Sequence, residues 1–451
     1  MRSEYDGFVS RKYCILAFLT VGLVRAEIHP LTLKQALDQA SRQNPDIALA
    51  RLDEQRAIQN VRVLRDPFVP KVYAGSGLAY TYGYPSAIGG NPPSIVDLRT
   101  DMSIYNRPKS YALAAARENA RGVQIDVQAK ADEVAYNTAS LYLDAQQSAK
   151  EVAAINNQMP ALKSVLEAMD ARVNEGSELP VEVKRARINL AQAQQRLQSF
   201  QEDQDYSETL LAVTLGYPAT DRVRTVESDQ NFDLDGLTNE EHSVEMALRN
   251  SKEIRRMESA VLAKELEIRS YKAARLPQVD LVAQYALFAK YAYQSYFQKF
   301  QRNNAQIGAS FVVPLLIGSA SAGQYQEAAT DMAKLRIQIN QTRNRITTDT
   351  RRSYQEMRKA EASRDLARQQ LDLAHDDLSV LLARYSEGRV PLSDVERART
   401  AENERWLAMY EAETQVERAR LGVLRQVGNL MAALGAGSET GAQRPQETVR
   451  P

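Results

Sequence analysis

The chain has 451 residues, and its 57 Lys+Arg are matched by 57 Asp+Glu, a zero net charge that supplies no bulk attraction to nucleic acid or anionic lipid. Its one cysteine, Cys14, sits in an N-terminal apolar run, so a chain that loses this run has no disulfide or thiol chemistry. Only 20 Gly and 16 Pro interrupt stretches crowded with Ala, Gln, Arg, Glu and Leu, the composition of long helices.

In chain order, residues 1–26 read as a secretory signal. Arg11 and Lys12 precede the apolar run Tyr13 to Val24, and Val24-Arg25-Ala26 is a small-residue cleavage site. The run is 12 residues long, short of the ~20 that a bilayer-spanning helix takes. Cys14 lacks the small residue that precedes a lipidated cysteine, so no acyl anchor is expected.

Residues 27–220 form a first repeat. A helix of ~30 residues opens at Thr32 with Gln35 three positions on, a capping-box pattern, and ends near Asp66-Pro67. The period then changes to two, predicting strands at about 70–84 and 95–105. Val96, Leu98, Thr100, Met102 and Ile104 alternate there with Asp97, Arg99, Asp101 and Ser103. A long helix near 110–173 follows, then the turn NEGSELPVEVKRAR and a returning helix. Apolar residues spaced by three and four lead into the turn (Ile155, Met159, Leu162, Leu166, Met169, Val173) and out of it (Val183, Ala186, Leu190, Ala193, Leu197, Phe200), which predicts an antiparallel coiled-coil hairpin. Pro160, inside the long helix, is expected to kink or break it.

Residues 221–435 repeat these parts. Pro277 follows Pro70, and Val279 follows Val72, by 207 positions (277 − 70). Strands are expected at about 278–288 and 304–315, and a long helix near 322–385. The turn SEGRVPLSDVERAR returns at an offset of 212 (386 − 174) with the glycine, the valine and the Arg-Ala-Arg ending in register. Glu402 breaks the apolar spacing of the second return. Each long helix can be matched by two half-length rods stacked end to end, giving a helical sheet about 100 Å long with the strands at one end and the turns at the other. Residues 436–451 are expected to be disordered.

Strands of this length with an apolar face have the pattern of transmembrane β-strands, and four of them cannot close a barrel alone. Tyr80, Tyr82 and Tyr84 in one hairpin, and Tyr285, Phe288, Tyr291 and Tyr293 in the other, are the candidate aromatic girdle. The alternative is the core of a small soluble sheet in a secreted periplasmic coiled-coil adaptor or scaffold. The histidines His29, His242 and His375 are scattered, and no HExxH, GxSxG or phosphate-cradling loop is present. Neither an enzyme nor a cofactor or nucleic-acid partner is expected.

LTLKQALDQASRQNPDI (31–47), VPLLIGSASAGQY (313–325) and RYSEGRVPLSDVERA (384–398), in this order, resemble the TolC-like outer-membrane efflux channels of Gram-negative bacteria. The resemblance covers nearly the whole mature chain. It implies a mainly α fold with a small transmembrane β part: a homotrimer with a shared 12-stranded β-barrel and a long periplasmic coiled-coil barrel. The implied function is the outer-membrane exit channel of a tripartite efflux or type I export system, partnered by a periplasmic adaptor and an inner-membrane pump. On this reading Gly176, Ser177, Glu178, Leu179, Pro180, Gly388, Arg389, Val390, Pro391 and Leu392 are the candidate adaptor contacts; glycine and proline there equally shape a helix-turn-helix. The family narrows its entrance with aspartates after the second tip glycine. Asp394 matches the first such position and Arg397 departs from the second, with Glu182 and Arg185 in the equivalent places of the first repeat. The family's proline-leucine before the long helix is matched by Pro314-Leu315 but not by Pro108 in SIYNRPKS.

Overall fold

The structure, a computed structural model, describes residues 27–77, 94–176, 179–226, 239–289, 301–315, 318–428 and 430. The expected signal, the tail 436–451, and Tyr80, Tyr82, Tyr84, Tyr291, Tyr293, Ser177 and Glu178 lie outside these residues.

A short strand β1 (Ile28–Leu31) leads into α1 (Leu33–Gln43), α2 (Pro45–Arg65), β2 (Lys71–Gly77), β3 (Ser94–Tyr105), α3 (Arg107–Asn174) and α4 (Pro180–Thr214). The second set runs β4 (Arg222–Thr225), α5 (Glu240–Asn250), α6 (Lys252–Lys272), β5 (Gln278–Phe288), β6 (Asn303–Val312), α7 (Ala320–Ser386) and α8 (Leu392–Val427). Even the 3₁₀ turns that end α2 and α6 correspond, Asp66–Phe68 and Ala273–Arg275.

The single first helix expected from sequence is two. Thr32 and Gln35 do form the reciprocal capping box of α1, but the helix stops at Asn44. Pro45 disfavours helical geometry in the residue before it, and Asn44 adopts φ −62°, ψ 128° while its side chain caps α2. The break also makes the end-to-end stacking possible. Asn44 Nδ2 donates to the Thr214 carbonyl at the end of α4 (2.8 Å), and Asn250 Nδ2 donates to the Val427 carbonyl at the end of α8 (3.1 Å). These carbonyls are among the four that every helix end leaves without an intrahelical partner. Gly216, at φ +88°, closes the first junction so tightly that a Cβ would lie 2.8 Å from the Gln43 carbonyl oxygen.

α3 has 68 residues, hence ~100 Å at 1.5 Å per residue. It packs against α2 and α6 towards the strands and against α4 and α8 towards the turns, with α7 completing the layer beside α6 and α8. Ion pairs mark the levels: Lys252 with Asp132 joins α6 to α3, Arg418 with Asp144 joins α8 to α3, and Lys264 meets Asp331 of α7 at 3.1 Å. Pro160 does not break α3. It lies on the exposed side together with Asn156, whose carbonyl the proline leaves without a donor, so water can serve that group. The irregular Glu402 is explained as well: its carboxylate holds His375 Nδ1 of α7 at 2.8 Å.

The main core forms where the half-length rods meet. Leu37, Ala40, Tyr142, Leu211, Leu215, Val223, Leu421 and Leu424 are buried together. Tyr142 has no exposed surface. Its hydroxyl reaches the carbonyls of Leu31 (3.1 Å) and Val226 (2.8 Å) and accepts the Val226 N–H (3.2 Å), tying α3 to the parallel β1–β4 pair. The other sheet has the order β2-β3-β5-β6, all antiparallel. No helix among the described residues is long and apolar enough to cross a membrane.

Candidate functional site

The four-stranded sheet has two unlike faces, because successive side chains on a strand point opposite ways. In register across the strands, one face carries Val72 and Ala74, then Val96, Leu98 and Met102, then Leu281, Tyr285 and Leu287, then Ile307, Ala309 and Phe311. The other carries Lys71 and Tyr73, Asp97, Arg99, Asp101 and Ser103, Asp280 and Gln284, Gln306 and Ser310. Contacts agree with this sorting: Gln306 donates to Gln284 at 2.9 Å, Arg99 meets Asp101 at 3.4 Å, and Arg99 also lies over the Tyr73 ring.

Among the described residues, nothing covers the apolar face. Val72 is 71%, Ile307 82% and Phe311 72% exposed, the reverse of a soluble sheet that buries its apolar side. Tyr285 lies on this face. Phe288 does not: Leu287 pairs with Val96 on the apolar side, so alternation places Phe288 on the polar side, a correction to its assignment to the girdle. The second strand ends at Tyr105, after which Asn106 caps α3 by accepting the Lys109 N–H at 3.1 Å. Pro108 therefore occupies the first turn of α3, where its missing N–H costs nothing.

At the far end of the rods are the two turns. α3 and α7 both finish on a glycine in the left-handed region, Gly176 at φ +70° and Gly388 at φ +73°, each in open space. The chain then re-enters a helix through Leu179-Pro180 and through Pro391-Leu392. Leu179 is 64% exposed, so an apolar side chain stands at the tip. Arg389 of the second turn pairs with Glu387 at 3.1 Å, and Val390 is half-buried.

The tips lean on one another. Leu392 of the second hairpin packs against Met169, Val183 and Ala186 of the first, and Arg172 Nη2 of α3 donates to the Tyr385 hydroxyl of α7 at 2.6 Å. Just above lies an inter-hairpin cavity of about 250 Å³ lined by Leu162, Met169, Glu182, Arg185, Glu396 and Arg397 among others. Both returning helices carry the same ion pair in their first turn, Glu182 with Arg185 (2.6 Å) and Asp394 with Arg397. The acidic partners also sit where a helix dipole favours negative charge. Glu396, buried between them, is pushed above the usual carboxylate range by burial, against the opposing pull of Arg399 at 3.3 Å. Sequence reading missed the Arg172–Tyr385 bond, since the two residues lie 213 positions apart in the chain.

With the two-faced sheet and twin hairpins established, comparison with known proteins is decisive. The family model described as outer membrane efflux protein matches residues 36–217 and 243–436. The chain belongs to the outer membrane efflux protein family. Its members are channel proteins of the outer membrane, and this chain shares that location, with a large periplasmic portion. It is 24% identical over 422 residues to the outer membrane protein TolC of Escherichia coli (strain K12), covering 90% of this chain and 83% of that protein. Among solved structures, the CmeC outer membrane channel of Campylobacter jejuni superposes with TM-score 0.71 at 16% identity, over 88% of this chain and 86% of that one. The open-state MtrE outer membrane channel of Neisseria gonorrhoeae gives TM-score 0.65 at 15% identity, over 91% of each. This efflux-family chain thus has the expected mainly α fold with a long periplasmic helical portion.

Proposed function

We propose that three copies of the chain close one β-barrel in the outer membrane and one helical tunnel beneath it, forming the passive exit channel of a tripartite efflux or type I export system. The observation that carries this reading is the sheet. Among the described residues, its apolar face is bare and β2 and β6 each pair on one side only. Open edges are not tolerated in lipid. β3, with 12 residues, is ~40 Å long and spans ~28 Å at a 45° tilt, enough for the ~25 Å apolar band of an outer-membrane barrel. The apolar face then meets lipid, with Tyr285 and the tyrosines 80, 82, 84, 291 and 293 as its girdle, and the polar face lines the lumen.

At the other end, the trimer presents six tips. Gly176, Ser177, Glu178, Leu179 and Pro180 with Gly388, Arg389, Val390, Pro391 and Leu392 form the surface for the hairpins of a periplasmic adaptor, which joins the channel to an inner-membrane pump. The glycine, valine and Arg-Ala-Arg ending that the two turns share in register support this role, because six tips of like backbone shape suit a ring of similar partners. Asp394, Arg397, Glu182 and Arg185 line the entrance. The test is the mass of the protein extracted from isolated outer membranes in mild detergent, with the micelle subtracted. Three chains in a particle that needs detergent is the expected result; one or two chains, soluble without detergent, would overturn it in favour of the periplasmic scaffold.

A further inference from the structure

Asp221 stands beside the first described residue of the chain. Its Oδ1 lies 3.4 Å from the backbone nitrogen of Glu27 and 3.3 Å from the Thr220 hydroxyl, and its Oδ2 lies 3.4 Å from His29 Nε2. The residue is buried. Glu27 is held there by the parallel strand pair: the Arg222 N–H donates to the Glu27 carbonyl at 2.9 Å, Ile28 is in register with Arg222, and the His29 ring stacks on Tyr217 at 4.3 Å. A backbone amide brings one donor and no charge, a poor match for a buried carboxylate, which is stabilised best by a positive partner.

Glu27 directly follows Ala26, the last residue of the Val24-Arg25-Ala26 site. Hydrolysis of the Ala26–Glu27 peptide bond by a membrane-bound signal peptidase consumes one water. It leaves a carboxylate on Ala26 and, with the proton passing to nitrogen, an α-ammonium on Glu27. That ammonium forms on the atom already 3.4 Å from Asp221. We propose that Asp221 is the receptor for the processed N-terminus. Cleavage creates a Glu27–Asp221 ion pair that the unprocessed chain cannot make, and the pair fixes β1 on β4. Because α1 starts at Leu33, two residues beyond β1, and Tyr142 bonds to both strands, the pair anchors the level at which the rods stack. This inference goes beyond the channel reading and rests on removal of residues 1–26.

The experiment takes the mature protein, purified from the cell envelope in mild detergent, and first identifies its N-terminal residue by mass spectrometry. Acylation of the α-amine at pH 7 is then followed for the wild type and for Asp221→Asn. An ordinary α-amine titrates near 7.7–8.0, and each unit by which the carboxylate raises it slows the reaction about tenfold at this pH. Glu27 as first residue, with labelling at least about threefold slower than in Asp221→Asn, is the expected result. Should Asp221→Asn fail to fold, a chain with one glycine inserted before Glu27 displaces the amine by ~3.5 Å and is expected to react at the ordinary rate. A first residue other than Glu27 overturns the processing step. Glu27 first, with equal rates in the wild type and the folded variants, overturns the ion pair while leaving the channel reading intact.

Discussion

Arg172, near the end of the first long helix, gives a 2.6 Å hydrogen bond to the hydroxyl of Tyr385, near the end of the second, so that the two hairpins of one chain are clasped a few residues above their tips. The guanidinium carbon also lies 5.9 Å from the centre of the Tyr385 ring. In the channel proposed above, widening the entrance requires the hairpins to part, and this contact opposes it. Tyr385→Phe keeps the ring and removes the hydrogen bond, worth about 1.5–3 kcal/mol for a charged donor. Single-channel recordings in planar bilayers are expected to show a larger conductance or open fraction in Tyr385→Phe, with trimer yield unchanged. Wild-type conductance would show that the clasp does not restrain the entrance.

At the proposed entrance, Asp394 and Arg397 neutralise each other within one helical turn, as do Glu182 and Arg185. Exposed i, i+3 pairs contribute about 0.3–0.5 kcal/mol, so neither half matters much for folding. In the proposed trimer their effect is on the field in the lumen. Asp394→Ala leaves three uncompensated arginines in a trimer and is expected to shift the reversal potential towards anions; Arg397→Ala shifts it towards cations. Both are measured in a salt gradient across a bilayer. Unchanged conductance and selectivity in Asp394→Ala would count against these residues lining the entrance.

Much of this organisation is legible in the sequence, for reasons that differ by element. The heptads of the first hairpin are read correctly because coiled-coil contacts are local: Ile155, Leu162, Met169, Val183, Ala186 and Ala193 are all buried. Strand alternation sorts Asp97, Arg99 and Asp101 from Val96 and Leu98, and it also sets Phe288 on the face opposite Leu287, where a list of aromatic residues alone puts both strand faces into one girdle. Contacts between distant segments leave no periodic trace. The Asn44–Thr214 bond that stacks the rods, the partner of Glu402 and the Arg172–Tyr385 clasp each join residues whose pairing the tertiary fold alone decides.

The Glu402–His375 pair gives a pH signature. The hydrogen bond to Glu402, aided by its charge, raises the His375 imidazole above its ordinary value, while neighbouring Asp376 and Asp372 add a smaller push in the same direction. A raised folded-state value means that the pair's stabilisation is complete below about pH 6.5, the unfolded value, and is lost as pH rises through the folded one. His375 is largely exposed, so the effect belongs to local order near the tip and not to global stability. With ¹³C-labelled histidine, the NMR titration midpoint of His375 is expected to fall in Glu402→Gln. An identical midpoint would show that the pair does not form in solution.

The two kinds of glycine in this chain separate backbone strain from packing. Gly176 and Gly216 both have positive φ, +70° and +88°, which costs a residue with a Cβ about 1 kcal/mol. Gly176 faces open space, whereas a Cβ on Gly216 meets the backbone of Gln43, its carbonyl oxygen at 2.8 Å and its carbonyl carbon at 3.3 Å. Backbone cannot swing aside as a side chain can. Relieving the clash means separating the end of α4 from the end of α1 and stretching the 2.8 Å bond between Asn44 and Thr214. Gly216→Ala is therefore expected to destabilise by about 2–4 kcal/mol, strain and lost contact together, and to lower the yield of assembled protein in the outer membrane. Gly176→Ala should assemble at near wild-type yield, with thermal stability reduced by only a few degrees. Membrane fractionation and a melting curve in detergent compare the two directly; equal losses would show that the close approach at Gly216 does not hold the stacked rods together.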